Sequence, residues 1–349
     1  EWQTLYDYWQ ADKSNRQIQW DRMYYSNLMA NKLGAEALYY LYRDNTNQMQ
    51  MSVGAHYSIN IDHYNKAAVG FQAGHDKAAH FQTMDDLLGA ELFTDYDRYS
   101  ARDYGENSTT ALNDMRNPRA QVKEGDKFGY NYNIFVDKAS LWAQYQYSRD
   151  NVGLLLAGRM EGTTIEREGL MQNGRAPENS YGKSGKAKFL GGGGKGTFTF
   201  RTAYSRFNVS LNYNTQAPLP SNSFVAPRIK NDFVDNLHLE HIYGVEASWN
   251  FTYGPVNGVV HLYHTRFRNG VEQTGFYDDS EGRFTYLTMT GVEKKHYGIE
   301  AALVFQITNR FSINLMGTLN EARYTSNADA QQTPESANGQ ELKRINTCT

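Results

Sequence analysis

The sequence predicts an all-β protein, an antiparallel transmembrane β-barrel, and three observations carry that prediction. Apolar and polar residues alternate with period two over stretches longer than the usual soluble strand. The connections between those stretches are alternately short and long. No segment is apolar enough for a membrane-spanning helix: the longest smooth run, Val152 to Gly158, falls far short of the roughly 20 residues required.

The first alternation sets Met49, Met51, Val53, Ala55, Tyr57 and Ile59 against Gln48, Gln50, Ser52, His56, Ser58 and Asn60. After a turn at 60–63 it resumes with Ala67, Val69, Phe71 and Ala73, which reads as a hairpin. Val152, Leu154, Leu156 and Met160 oppose Arg159 and Glu161, with Leu155 breaking the polar set. Tyr243, Val245, Ala247, Trp249 and Phe251 oppose Glu246, Ser248 and Asn250. Tyr297 to Ile307 and Ile313 to Leu319 repeat the pattern, with Glu300 on the polar side of the former. Two places resist assignment. The phase is lost at 136–140, where a bulge or small hairpin is expected, and the Gly191–Gly194 run is poor strand sequence.

Short turns are expected near 60–63, 148–151, 204–208, 253–257 and 308–310, implying about ten strands. Long polar loops are expected at 75–127, 168–186, 216–240 and 269–295. Short turns on one side and long loops on the other is the layout of a bacterial outer-membrane barrel. A soluble sandwich or propeller also alternates. Long strands, and Arg159, Glu161, Glu246 and Glu300 in mid-strand, suit a wet lumen better than a second sheet.

Composition agrees. Tyrosine leads with 26 residues, and there are 7 prolines where ordinary usage gives roughly 17. A mean hydropathy of −0.70 is polar for a membrane protein, but only alternate barrel residues meet lipid. The near balance of 35 basic and 38 acidic residues gives no basic excess for nucleic acid. One cysteine, Cys348, excludes a disulfide scaffold and a cysteine-rich metal site. Glu1 opens into a polar aromatic stretch with no leader pattern.

Chemical motifs are few. The run Gly191-Gly192-Gly193-Gly194-Lys195-Gly196-Thr197 fails as a P-loop, since Gly196 follows the lysine and Phe189 stands where a glycine belongs. His261 and His264 fall on opposite strand faces, and His238 and His241 read as loop-edge histidines. Asp85, Asp86, Glu91, Asp95, Asp97, Asp103 and Glu106 read as a solvated loop, with no EF-hand spacing. Tyr96, Tyr99 and Tyr104 in that loop are extracellular candidates for stacking a sugar or peptide, or they pack the loop on itself. No catalytic set, metal site or cofactor motif stands out, so no enzyme is expected.

Several segments resemble the barrel region of Bacteroidetes-type TonB-dependent outer-membrane receptors. These are QIQWDRMYYSN (17–27), MDDLLGAELFTDYDRYSARDYG (84–105), NDMRNPRAQVKEGDKFGYNYNI (113–134), LWAQYQY (141–147), EGTTIEREGLMQNGRAPENSYGK (161–183) and HYGIEAALVFQITNRFSINLMGTLNEARYTSN (296–327). The resemblance implies part of a 22-stranded barrel, with 1–349 one barrel portion and the N-terminal plug, TonB box and C-terminal strands absent. It implies active import of a nutrient (oligosaccharide, peptide or metal chelate) driven through the TonB complex. Part of that family also carries a surface lipoprotein cap. Arg159, Glu161, Glu246 and Glu300 are then candidates for contact with plug or substrate in the lumen, and Leu154, Leu156, Leu303 and Phe305 face outer-membrane lipids. Two readings stay open beside it: a passive pore or surface adhesin, and a soluble all-β glycan-binding module using Tyr96, Tyr99, Tyr104 and Trp142.

Overall fold

The computed structural model describes residues 2–280 and 282–335 and the backbone of 343–346; Cys348 and the chain's last residues lie outside them. The chain opens on helices α1 (Trp2–Ala11) and α2 (Trp20–Lys32), which the period-two reading did not foresee. Residues 20–32 contain no β-branched residue, and Asp21 and Lys32 sit at the ends that complement the helix dipole. Gly34, at φ 65°, closes α2, and the Ala35 N–H donates back to the Ala30 carbonyl at 2.9 Å.

Among the described residues twelve strands form one sheet: β1 (Leu41–Asn60), β2 (Asn65–Asp86), β3 (Lys127–Arg149), β4 (Val152–Gly169), β5 (Gly182–Arg201), β6 (Ser205–Gln216), β7 (Glu240–Tyr253), β8 (Val256–Asp278), β9 (Arg283–Thr308), β10 (Phe311–Tyr324), β11 (Asp329–Pro334) and β12 (Lys343–Asn346). Neighbours in sequence are neighbours in the sheet as far as β9. That strand then pairs β10 along its later half and β11 along its earlier half. This is an up-and-down meander, and it is open: among the described residues β1 pairs only β2.

The short turns fall where the sequence placed them, with one shift. β6 begins at Ser205, so the turn expected at 204–208 is 202–204. The loop expected at 269–295 is not a loop. It is the far half of β8 and of β9, paired out to Asp278 and Arg283 with a bulge around Gly270. Charged residues on both faces hid those strands, because above an apolar band each face meets water and alternation carries no signal. The expected break at 136–140 is also absent, since β3 pairs β4 without a shift from Tyr132 to Arg149.

The glycine run lies in mid-β5, paired with Gly158 to Glu161 of β4. A Cβ at Gly192 would stand 2.5 Å from the Arg159 carbonyl oxygen, so glycine is required by close backbone approach.

By contacts the chain divides into two units. In the first (Glu1–Thr46, His80–Asn131 and Met171–Gly174), Phe93, Phe128 and Met84 make the core, with the Phe93 and Phe128 rings 5.4 Å apart. Asn27 of α2 is wholly buried there. Its amide donates to Tyr39 O at 2.7 Å and Leu87 O at 2.9 Å and accepts from the N–H groups of Leu38 and Tyr39. The second unit holds the remainder, including β4 to β12.

Candidate functional site

Register fixes which residues of the second unit share a face. Arg159 pairs Gly193 and Gly193 pairs Asn214; Leu155 pairs Thr197, then Ser210, then Glu246, then Tyr263; His261 pairs Glu300. Directly opposed residues in an antiparallel ladder project the same way. Arg159, Glu161, Glu246 and Glu300 therefore lie on one face, as expected.

They do not form one cluster. Arg159 Nε donates to Asn214 Oδ1 at 3.1 Å, and its guanidinium is 3.8 Å from Glu161. Glu300 approaches His261 at 3.8 Å, two strands beyond Glu246's own. Between them the face is a hydrogen-bonded row of small polar groups. Thr199 donates to Asn208 at 2.9 Å, and Asn208 donates to Ser248 at 3.0 Å. Beside Arg159 the side-chain-free Gly193 opens a recess of about 360 Å³, lined by Trp142, Arg159, Lys195, Asn212 and Asn214. The Trp142 ring lies over Gly70, where a Cβ would be 2.6 Å from it. An aromatic plane beside a guanidinium, an ammonium and two amides suits a polar ligand with an apolar face.

At the long-loop end the same face carries a cluster that the sequence reading missed. Lys294 donates to Glu272 at 2.6 Å, and the Tyr324 hydroxyl donates to the other Glu272 oxygen at 2.9 Å. Burial raises the neighbouring Glu240 carboxyl, Lys294 opposes that shift, and Glu272 adds to it. Glu272 and Lys294 fell inside the expected loop, which is why they went unnoticed.

Above the sheet the loops are pinned by Arg167 of β4, which is 2% exposed. Its Nε donates to Pro227 O at 2.8 Å and its Nη1 to Ser180 O at 3.1 Å and to Asn231. The guanidinium lies 4.9 Å from the Tyr132 ring centre, and burial lowers its pKa to about 10.

The opposite face is apolar. Leu154 pairs Phe198, then Val209, Ala247, Leu262, Ile299 and Leu319 in a single cross-strand row. Leu303 and Phe305 belong to the same face, beside Phe251 and Tyr253 through Gly258 and Val256. Aromatic rings border this band at both ends. Phe207, Trp249, Phe251, Tyr253 and Tyr204 stand at the short-turn end, with Phe207 and Trp249 stacked at 6.1 Å. Tyr213 and Tyr243 stand toward the long-loop end at 5.1 Å. Ten residues separate Tyr243 from Tyr253. That spans about 25 Å at ~3.3 Å per residue and ~40° tilt, the height of an outer-membrane apolar band.

No protein-family model matches this sequence, and no curated protein matches it. Solved structures do. The chain is similar to the copper transporter OprC, at 10% identity and a TM-score of 0.58, over 83% of this chain and 39% of that one. It is also similar to the closed form of the ferric-catecholate import receptor Fiu from K12 E. coli, at 12% identity and a TM-score of 0.50, over 81% of this chain and 39% of that one. The fold is that of part of the β-barrels of these two proteins. The chain spans 39% of the length of each of these structures.

The three loop tyrosines belong to the first unit and divide in role. Tyr96 is half-buried between Arg98 and Arg119, at 5.7 and 5.2 Å, and burial raises its hydroxyl pKa. It packs the loop. Tyr99 and Tyr104, on helix α3 (Arg98–Tyr104), are exposed. The loop carboxylates serve as caps and pairs: Asp97 accepts from Ser100 N at 2.6 Å, and Asp95 accepts from Asn113 at 2.8 Å. Among the described residues no group of three or more potential ligands could hold a metal ion.

Proposed function

We propose that residues 1–349 are part of the barrel domain of an outer-membrane TonB-dependent active importer of a nutrient: oligosaccharide, peptide or metal chelate. One observation carries the reading most. A single sheet presents an apolar face about 25 Å tall, bordered by aromatic rings, and a polar face with ionisable residues in mid-strand. The likeness to the barrels of a copper transporter and a ferric-catecholate import receptor supports it.

In this reading the polar face is the lumen. Arg159, Glu161, Glu246 and Glu300 contact the plug or the permeating substrate, and the recess at Trp142 and Arg159 is where a sugar or peptide group would rest. Tyr99 and Tyr104 offer rings on the extracellular side. Energy comes through the TonB complex, which engages the plug domain of such importers, and a surface lipoprotein is a partner that part of the Bacteroidetes type carries. The apolar face meets outer-membrane lipids.

Growth on single nutrients tests it. Cells lacking this protein and cells lacking TonB should fail on the same oligosaccharide, peptide or chelate. Failure only in cells lacking this protein would mean a passive pore. Recovery of the protein from the soluble fraction would favour a glycan-binding module.

A further inference from the structure

The apolar face ends, toward the long loops, in a row of cations. Tyr243 of β7 pairs Arg266 of β8, Arg266 pairs Lys295 of β9, and Lys295 pairs Arg323 of β10. Arg268 lies one step above, opposite His241. Like charges directly opposed across strands destabilise a sheet, so three in one row call for a counter-charge. Two carboxylates supply part of it. Glu293 accepts from Arg266 Nη2 at 2.8 Å and from Arg268 Nε at 3.1 Å, while Glu321 accepts from Arg323. Four cations against two carboxylates leave a formal charge of +2.

The carboxylate is tucked beneath its partners. Glu293 is 19% exposed, against 46% and 49% for Arg266 and Arg268, so the guanidiniums face outward. Lys295 lies 5.7 Å from the Tyr297 ring. Directly below the cations is a groove of about 710 Å³, floored by Val245, Ala247, Leu262, Ile299 and Leu319. Beside the cations is a second recess of about 380 Å³, lined by His241, Tyr243, Arg268 and Glu293.

A cationic shelf over an apolar groove matches one kind of molecule: an amphiphile with an anionic head and acyl chains. We infer that Arg266, Arg268, Lys295 and Arg323 bind the phosphate of a phosphorylated lipid of the surrounding leaflet, with one acyl chain in the groove at Leu262, Ile299 and Leu319. The inference rests on the reading of this face as lipid-facing. The charge match selects a phosphorylated head over a zwitterionic one, and arginine's forked donors suit phosphate oxygens.

The test uses the full-length protein in detergent, titrated with bisphosphorylated lipid A and with the same lipid dephosphorylated, and read by native mass spectrometry. The phosphorylated lipid should bind at least tenfold more tightly. Arg266→Gln or Lys295→Gln should each weaken it about fivefold, and the combined substitution of all four cations should abolish the preference. Lys294→Gln, next in sequence but on the polar face, should leave it unchanged. Heat-modifiable gel migration shows whether each variant is folded, and the single variants decide if the fourfold one is not. Equal binding of the two lipids, or unchanged preference in the folded single variants, overturns the inference. So does displacement by inorganic phosphate as tight as the lipid itself, since the groove would then contribute nothing. A protein that stays soluble without detergent would instead overturn the membrane reading on which the inference rests.

Discussion

Leu262 and His261 are adjacent on β8 and project to opposite faces, so one substitution placed at each separates the apolar face from the polar one. Leu262 pairs Ala247 of β7. Ala247 lies six residues from Tyr253 at one aromatic border and four from Tyr243 at the other. Leu262 is therefore within about 3 Å of the middle of the apolar band, at ~3.3 Å per residue and ~40° tilt. An arginine on the lipid face at midplane costs about 2–4 kcal/mol, roughly a 30- to 900-fold loss in the folding equilibrium. Leu262→Arg should show that loss, while His261→Arg, 3.8 Å from Glu300 in the native pair, should lose less than about 1 kcal/mol. Leu303 lies opposite Gly258 and so beside Phe251 at the short-turn border. Leu303→Arg should accordingly cost only about 0–1 kcal/mol. The assay is denaturant-dependent folding into lipid vesicles, followed by tryptophan emission and gel mobility. Equal costs at 261 and 262, or a larger cost at 261, would refute the face assignment.

Three further predictions follow from the loops and the sheet. Arg167→Ala strands the buried acceptors of Pro227, Ser180 and Asn231; it should cost about 1–3 kcal/mol and open the 170–181 and 217–239 loops to protease while leaving the strands protected. Gly192→Ala forces a methyl against the Arg159 carbonyl, so it should cost about 1–3 kcal/mol and lower folding yield, whereas Gly162→Ala, with open space at its Cβ, should do neither. Glu293 is held below its ordinary value of 4.5, first by its hydrogen bond from Arg266. A depressed carboxyl stabilises fully above that ordinary value and loses its contribution as pH falls through the lowered one. Stability should therefore drop below about pH 4.5 in the native protein, and Glu293→Gln should flatten that part of the pH profile measured by thermal melts.

The strands most legible in the sequence are those that cross the apolar band. There, one apolar and one polar face force alternation, and residues such as Trp249 against Ser248 announce it. The same strands above the band carry Glu272, Glu293 and Lys294, charged residues on both faces, so the far halves of β8 and β9 read as the loop 269–295. The glycines at 191–194 defeated propensity because close backbone approach, not side-chain preference, selects them. Helix α2 was missed for want of period-two signal in a stretch whose anchoring residue, Asn27, is polar. Arg159, Glu161, Glu246 and Glu300 share one face of the sheet because parity alone decides that. Their separation into an Arg159 recess and a distant Glu300 pair depends on strand order, which no short window contains.

The two-sidedness of the sheet can be read residue by residue on β6, whose register is unbroken from Ser205 to Gln216. With Cys348 replaced by serine, a nitroxide would be attached at single cysteines from Asn208 to Asn212 in the full-length protein in vesicles. Its relaxation by oxygen and by a water-soluble nickel chelate would then be measured. Oxygen should dominate at Val209 and Leu211, and the chelate at Asn208, Ser210 and Asn212. Accessibility without period two, or with the two sets exchanged, would contradict the barrel account.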